Sequence, residues 1–202
     1  MSFAKVTNLA ALAAVTALLV AGTANSAPLP DRASAQIDVL DGALISAGRA
    51  ATMRERATVL SPIVSRMFNV GVMARFVVGG AWAQMARPDQ EAVVAALARY
   101  MTARLGHEFA NAPNVTLTID PVVQVRGEDE VVRTVLVESG QAPDHLDYRM
   151  REYAGAWKVI DVYYNGVSEL TTRRADLAAT LATGDTRALV ARIDATTAGF
   201  SR

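Results

Sequence analysis

The stretch "WKVIDVYYNGVSEL", residues 157–170, brings a carboxylate, two phenols, an amide and a hydroxyl close together at Asp161, Tyr163, Tyr164, Asn165 and Ser168. A serine just after a glycine, where a strand turns into a helix, is a position in which hydrolases present a nucleophile. A carboxylate nearby could serve as a general acid or base. The local pattern lacks the second glycine of a nucleophile elbow, and no histidine is close in sequence to act as its base. A serine opening a helix also has a plain role: it caps free backbone N–H groups and contributes about 1 kcal/mol. Asp161 shares the alternation of Trp157, Val159 and Tyr163, which points it inward, and a buried carboxylate needs a partner. Arg133 or Arg149 on a neighbouring strand is the expected one.

Other chemistry is sparse. The chain has two histidines, His107 and His145, and no cysteine. Asp144, His145 and Asp147 are near one another in sequence, but a strand-edge cluster of this kind reads as a solvated loop rather than a metal site. Cys or HExxH zinc ligands and an EF-hand loop are missing, and "VVGGAWAQ" is neither GxGxxG nor a P-loop. No metal and no cofactor is expected.

The elements that carry these residues follow from periodicity. Ile37, Leu40 and Leu44 recur at helical spacing, and Val59, Leu60, Ile63, Val64, Met67 and Phe68 form a second apolar stripe, which Pro62 should bend or restart. "VGVMARFVVGGAWAQM" predicts a third helix interrupted by Gly79 and Gly80. Pro88, Asp89 and Glu91 open a fourth, with Val93, Leu97, Tyr100, Met101, Leu105 and Phe109 on its buried face. From residue 114 the period becomes two. "VTLTIDPVVQV", "VVRTVLVE", "LDYRMREY" and "WKVIDVYY" predict about four strands, and the short turns between them favour antiparallel pairing. In the third segment Leu146, Tyr148 and Met150 face one way and Asp147, Arg149 and Arg151 the other. Two more helical patterns complete the chain, from Ser168 to Ala182 and around Leu189, Val190 and Ile193. Helices first and sheet second predict an α+β fold.

Composition bounds the class. Lys5 followed by the apolar run Leu9–Val20 and by "AGTANSA" has the order of a secretory signal peptide, so residues 1–26 are expected to be removed on export and 27–202 to form one domain. The run is shorter than the roughly 20 residues needed to span a bilayer. Without Lys5 the chain carries 19 basic against 20 acidic residues, and a charge near zero argues against a nucleic-acid partner. With no disulfide available, stability must come from the core, for which a chain with 51% hydrophobic residues has ample material.

Two blocks, "MFNVGVMARFVVGGAWAQMARPDQE" and "WKVIDVYYNGVSELTTRRADL", resemble the toluene-tolerance family of MlaC-type periplasmic lipid-binding proteins. The matching positions are Phe68, Met73, Gly79, Trp82, Pro88 and Gln90 in the first block. In the second they are Trp157, Asp161, Val162, Gly166, Val167, Ser168 and Arg174. The likeness extends from about Arg32 to Thr197. Asn69, Val78, Asn165 and "ELTTRR" depart from the pattern, and "NGVSEL…RR" is closer to the hopanoid-biosynthesis-associated branch, HpnM. The resemblance implies helices wrapped around a cystatin-like (NTF2-like) antiparallel sheet that encloses an apolar cavity. It implies a periplasmic carrier of phospholipid or hopanoid lipid. The implied partners are an inner-membrane ABC transporter with an MCE-domain protein and an outer-membrane lipoprotein complex.

On that reading the binding wall would be Phe68, Met73, Phe76, Trp82, Tyr100 and Met101 on the helices, facing Leu146, Tyr148, Met150, Ile160, Val162 and Tyr164 on the sheet. An arginine at position 150 could then snorkel to the mouth without unfolding the domain. Two rival readings stand beside it. One is an enzyme using Asp147, Asp161 or His145 on a small apolar substrate; the other is a ligand-free adaptor docking a membrane complex.

Overall fold

The sheet is built from a central pair of long strands, each flanked by a partner that the sequence shortens or bends. The computed structural model describes residues 32–110, 115–138 and 140–200; the expected signal peptide and its cleavage site lie outside these. The helices α1 (Ala33–Gly48), α2 (Met53–Met67), α3 (Val70–Val78) and α4 (Arg87–Glu108) come first, with a 3-10 turn, Gly79–Gln84, between the last two. The strands are β1 (Val115–Ile119), β2 (Gln124–Arg126), β3 (Asp129–Glu138), β4 (Asp144–Tyr153), β5 (Ala156–Tyr164) and β6 (Val167–Ser168). Helices α5 (Glu169–Ala182) and α6 (Thr186–Gly199) close the described chain. The class is α+β, as expected. No helix among the described residues is long and apolar enough to cross a membrane.

Every strand pair is antiparallel, in the order β1-β3-β4-β5-β6, with β2 also on β3. The described residues form six strands instead of about four. The first predicted segment splits at Asp120–Pro121: β1 pairs with the second half of β3 and β2 with its start, so both lie along the same edge. Proline has no N–H to give to a ladder, which is why pairing lapses there. The sixth strand is two residues long and returns from the Asn165–Gly166 turn, whose φ values of 47° and 81° are those of a tight hairpin.

Pro62 does not restart α2, which runs through it from Met53 to Met67. Pro62 and Thr58, whose carbonyl loses its partner, both face solvent, where water can satisfy that oxygen. The helix starts at a full capping box: Thr52 Oγ1 accepts from the Glu55 N–H at 3.2 Å, and the Thr52 N–H donates to Glu55 Oε2 at 3.0 Å. Helix α4 packs between α2 and α6, with Arg99 forked onto Asp194 at 2.8 and 3.0 Å. Phe200, just beyond α6, lies edge-on to Tyr100 and against His107.

The helices cover one face of the sheet. Val132, Tyr148, Met150 and Val159 from that face join Ile37, Leu40, Leu44, Leu60, Val64 and Met67 in a single core. The opposite face carries charge. Asp129, 1% exposed, accepts from Arg149 Nε and Arg151 Nε at 2.5 Å each. Burial pushes its carboxyl up, but the two guanidiniums outweigh this and hold it below the usual carboxylate range.

Asp129→Asn should lower stability at neutral pH by about 1–3 kcal/mol, less than for a fully buried pair because both arginines are partly exposed. A depressed native pKa stabilises the fold above the ordinary carboxylate range and stops doing so as pH falls through the lowered value. The gap in melting temperature between wild type and variant should therefore close on acidification. A gap that is constant from neutral to strongly acid pH would contradict the assignment.

Candidate functional site

The turn that first suggested chemistry is a structural joint. Ser168 is the N-cap of α5: its Oγ accepts from the Thr171 N–H at 3.1 Å and donates to Asp161 Oδ2 at 2.7 Å. Asp161 Oδ1 accepts from the backbone N–H groups of Val162 and Leu170 at 2.8 and 3.4 Å. The expected arginine partner is corrected by this arrangement. Arg149 pairs with Asp129, and Asp161 is held by a hydroxyl and two amides. Burial raises the Asp161 carboxyl above its ordinary value, only partly offset by Ser168 and the two N–H groups.

A β-bulge explains why the alternation misplaced this carboxylate. Val159 lies opposite Met150, and Asp161 lies opposite the preceding residue Arg149, leaving Ile160 as the extra residue of β5. Parity therefore reverses within the strand. Val159, Val162 and Tyr164 share the helix-covered face with Met150, Tyr148 and Leu146, while Asp161 and Tyr163 fall on the other with Arg149 and Asp147.

A cavity of about 90 Å³ lies between this sheet face, α4 and α5. Its walls are almost wholly apolar. Eight of the sequence-predicted residues come together here: Phe68, Met73, Tyr100 and Met101 from the helical side, and Leu146, Tyr148, Val162 and Tyr164 from the sheet. Leu97, Leu105, Phe109 and Leu170 complete it. Burial in this apolar setting pushes the Tyr148 phenol well above its usual pKa.

Four predicted residues lie elsewhere. Met150 has no exposed surface and belongs to the solid core beyond the end of the cavity. Ile160 is the bulged residue, buried outside the cavity wall. Phe76 stands on the outward side of α3 at 46% exposure. Trp82, in the 3-10 turn, lines a separate groove beside Arg87 and Gln90. A helical stripe could not carry Trp82 onto the wall, because α3 ends at Val78 and the 3-10 turn follows.

The polar end of the cavity was not foreseen. Arg104 on α4 donates from Nε to Glu108 Oε1 at 2.7 Å and from Nη2 to Glu169 Oε1 at 2.8 Å, and its Nη1 bonds Glu169 Oε2 and the Tyr100 hydroxyl. Burial opposes its charge, but the two carboxylates hold it more firmly protonated than a free arginine. Arg173 lies 4.7 Å over the Tyr100 ring. The i,i+4 spacing of Arg104 and Glu108 was legible in the sequence; the reach to Glu169 is tertiary.

Asp144, His145 and Asn165 form a hydrogen-bonded clamp. Asn165 Nδ2 donates to Asp144 Oδ1 at 2.9 Å, and its Oδ1 accepts from the His145 N–H at 2.8 Å. No group of three or more His, Cys, Asp or Glu side chains among the described residues is placed to hold a metal.

The fold, helices wrapped over one face of an antiparallel sheet, is shared with a solved structure. That structure is a phospholipid-binding protein from Ralstonia solanacearum in complex with a phospholipid. It is 20% identical, with a TM-score of 0.72 over 83% of this chain and 98% of that one. No curated protein sequence matches the chain. The family model for MlaC protein matches residues 43–195, and the chain belongs to the MlaC family.

Ser168→Ala should cost about 1–2 kcal/mol at neutral pH, from the lost cap and the loss of one partner for the Asp161 carboxylate. The change raises the already elevated native pKa of Asp161 further, so the penalty should shrink as pH falls and both proteins protonate that group. Denaturant titration across the acid range measures this; a penalty that grows on acidification would overturn the assignment. Met150→Arg should abolish cooperative unfolding, since a charge in solid core has no route to water. A folded Met150→Arg protein would mean that the cavity extends further than described.

Proposed function

We propose that this chain is an exported lipid carrier that holds acyl tails in the cavity and leaves the lipid's polar end at the Arg104–Glu169 mouth. The carrying observation is the composition of the site: Met, Leu, Val and aromatic walls, with charged side chains at one end. Burying a tail contributes about 0.8 kcal/mol per CH₂, and soft, adaptable methionine walls suit chains of varying shape. The likeness to the Ralstonia phospholipid-binding protein supports the reading, as does membership of the MlaC family. The carboxylates that an enzyme would use, Asp147 and Asp161, project from the sheet face away from the cavity, and His145, exposed at the strand end, is not among the residues that line it.

Ligand pockets usually measure roughly 300–1,000 Å³, so a cavity of 90 Å³ describes the closed carrier and loading requires α4 and α5 to part. The signal-like residues 1–26 support export to the periplasm, and the carrier's partners on this reading are those the family resemblance implies, an inner-membrane ABC transporter with its MCE-domain protein and an outer-membrane lipoprotein complex. Phospholipid is the first ligand class. The "NGVSEL…RR" stretch favours hopanoid as the second.

Native mass spectrometry of the exported protein should detect retained phospholipid or triterpenoid; a sample with neither would sink the proposal. Met101→Trp should fill the cavity from α4, at a cost to stability of about 1–3 kcal/mol. Its co-purified lipid should fall sharply. Full lipid occupancy in folded Met101→Trp protein would place the tails elsewhere.

A further inference from the structure

Helices α4 and α5 border the cavity, yet each makes its close packing with other elements. Helix α4 packs on α2 and α6, and α5 packs on α3, α6 and β5. Across the mouth they are tied by long side chains: the Arg104–Glu169 pair and the guanidinium of Arg173 over Tyr100. Arg173 also donates from Nη1 to Asp176 at 2.7 Å, but its buried Nε has no hydrogen-bond partner. Arg173 is among the residues that line the cavity, which leaves this donor for an acceptor on a ligand there.

We propose that Arg104 and Arg173 form a recognition site for the phosphodiester of a lipid headgroup, and that Glu169 occupies the phosphate's place on Arg104 in the closed molecule. This rests on the carrier reading and specifies its ligand. Arg104 turns Nε to Glu108 and presents both terminal nitrogens to Glu169, the forked geometry that carboxylate and phosphate share. A phosphodiester and a glutamate each carry one negative charge, so the exchange leaves the fork of Arg104 with one anionic partner. The released Glu169, whose side chain is already 24% exposed, turns to water. A second phosphate oxygen can accept from the unpartnered Nε of Arg173. The same exchange removes the direct Arg104–Glu169 tie between α4 and α5 and puts the lipid's own phosphate between them, coupling headgroup recognition to the parting that the tails require. A neutral lipid has nothing with which to displace Glu169.

The test uses delipidated full-length mature protein and two probes with the same fluorescent tails, phosphatidylglycerol and diacylglycerol. Wild type should bind the phospholipid more tightly. Arg104→Gln and Arg173→Gln should each weaken phospholipid binding about tenfold, the scale of one lost charged hydrogen bond, with a clearly smaller loss, or a gain, for diacylglycerol. Glu169→Gln should strengthen phospholipid binding and speed its uptake. Arg104→Lys, which keeps the charge without the fork, should show an intermediate loss and serves if Arg104→Gln fails to fold. Equal weakening of both probes, or wild-type binding indifferent to the phosphate, would overturn the headgroup site. Wild type that binds neither probe would instead overturn the carrier reading beneath it.

Discussion

The extra residue at Ile160 decides what faces the cavity. On an unbroken strand Asp161 would share the face of Val159 and point its carboxylate at Tyr148 and Met150, where a charge would have no partner. The bulge turns Asp161 to the other face and Val162 and Tyr164 inward. It also sits where the link between α2 and α3 meets the sheet. Val159 accepts from the Asn69 N–H at 2.9 Å, and Phe68 bridges to Val159. That junction covers the sheet edge and sets Phe68 and Met73 into the cavity wall. On its far side Asp161 receives the first turn of α5. One inserted residue thus positions the sheet wall, the α3 wall and the helix that closes the mouth.

Much of this was legible. The change of period from 3.6 to 2 separated helices from sheet, and the alternation in β4 placed Leu146, Tyr148 and Met150 on the covered face, where they are. What alternation cannot reveal is a change of parity within a strand, so it aims Asp161 inward at an arginine, whereas its hydrogen bonds come from Ser168 and two backbone amides. Nor does periodicity distinguish solid core from cavity wall: Met150 and Tyr148 read identically, and only the packing of α4 and α5 separates them. The charged mouth escaped for a different reason. Apolar periodicity marks walls and is blind to charge, and Arg104 and Glu169, 65 residues apart in the chain, meet only when α4 and α5 are brought together.

The residues that carry the family resemblance are for the most part joints. Arg174 donates to the Phe76 carbonyl at 3.1 Å over Gly79, whose φ of 71° suits glycine and whose Cβ, were there one, would meet the guanidinium at 2.6 Å. Gln90 donates to the Trp82 carbonyl at 2.9 Å and pins the 3-10 turn. Asn69 stands where the pattern has Asp and still caps α3, accepting from the Val72 N–H at 3.1 Å. Joints of this sort have few chemical solutions, whereas an apolar wall tolerates exchange of one hydrophobe for another if volume is kept. A motif built of caps and turns therefore identifies the fold, and only Phe68, Met73 and Val162 among the matched residues touch the cavity.

The distribution of bonding around α4 fits a molecule that must open on one side. Toward α2 the helix is locked by close apolar contact, with Gly106 so near Met53 that a Cβ would lie 3.0 Å from the sulfur. Toward α5 it is held by the partly exposed Arg104–Glu169 pair and a stacked arginine. Separating the apolar seam would expose buried surface to water at roughly 25 cal/mol per Å², with nothing in water to replace the lost packing. Parting an ion pair near solvent exchanges one set of polar partners for another and changes the free energy little. The contacts that define the fold and those that close the cavity thus lie on opposite sides of a single helix, so the mouth can yield while the core stays intact.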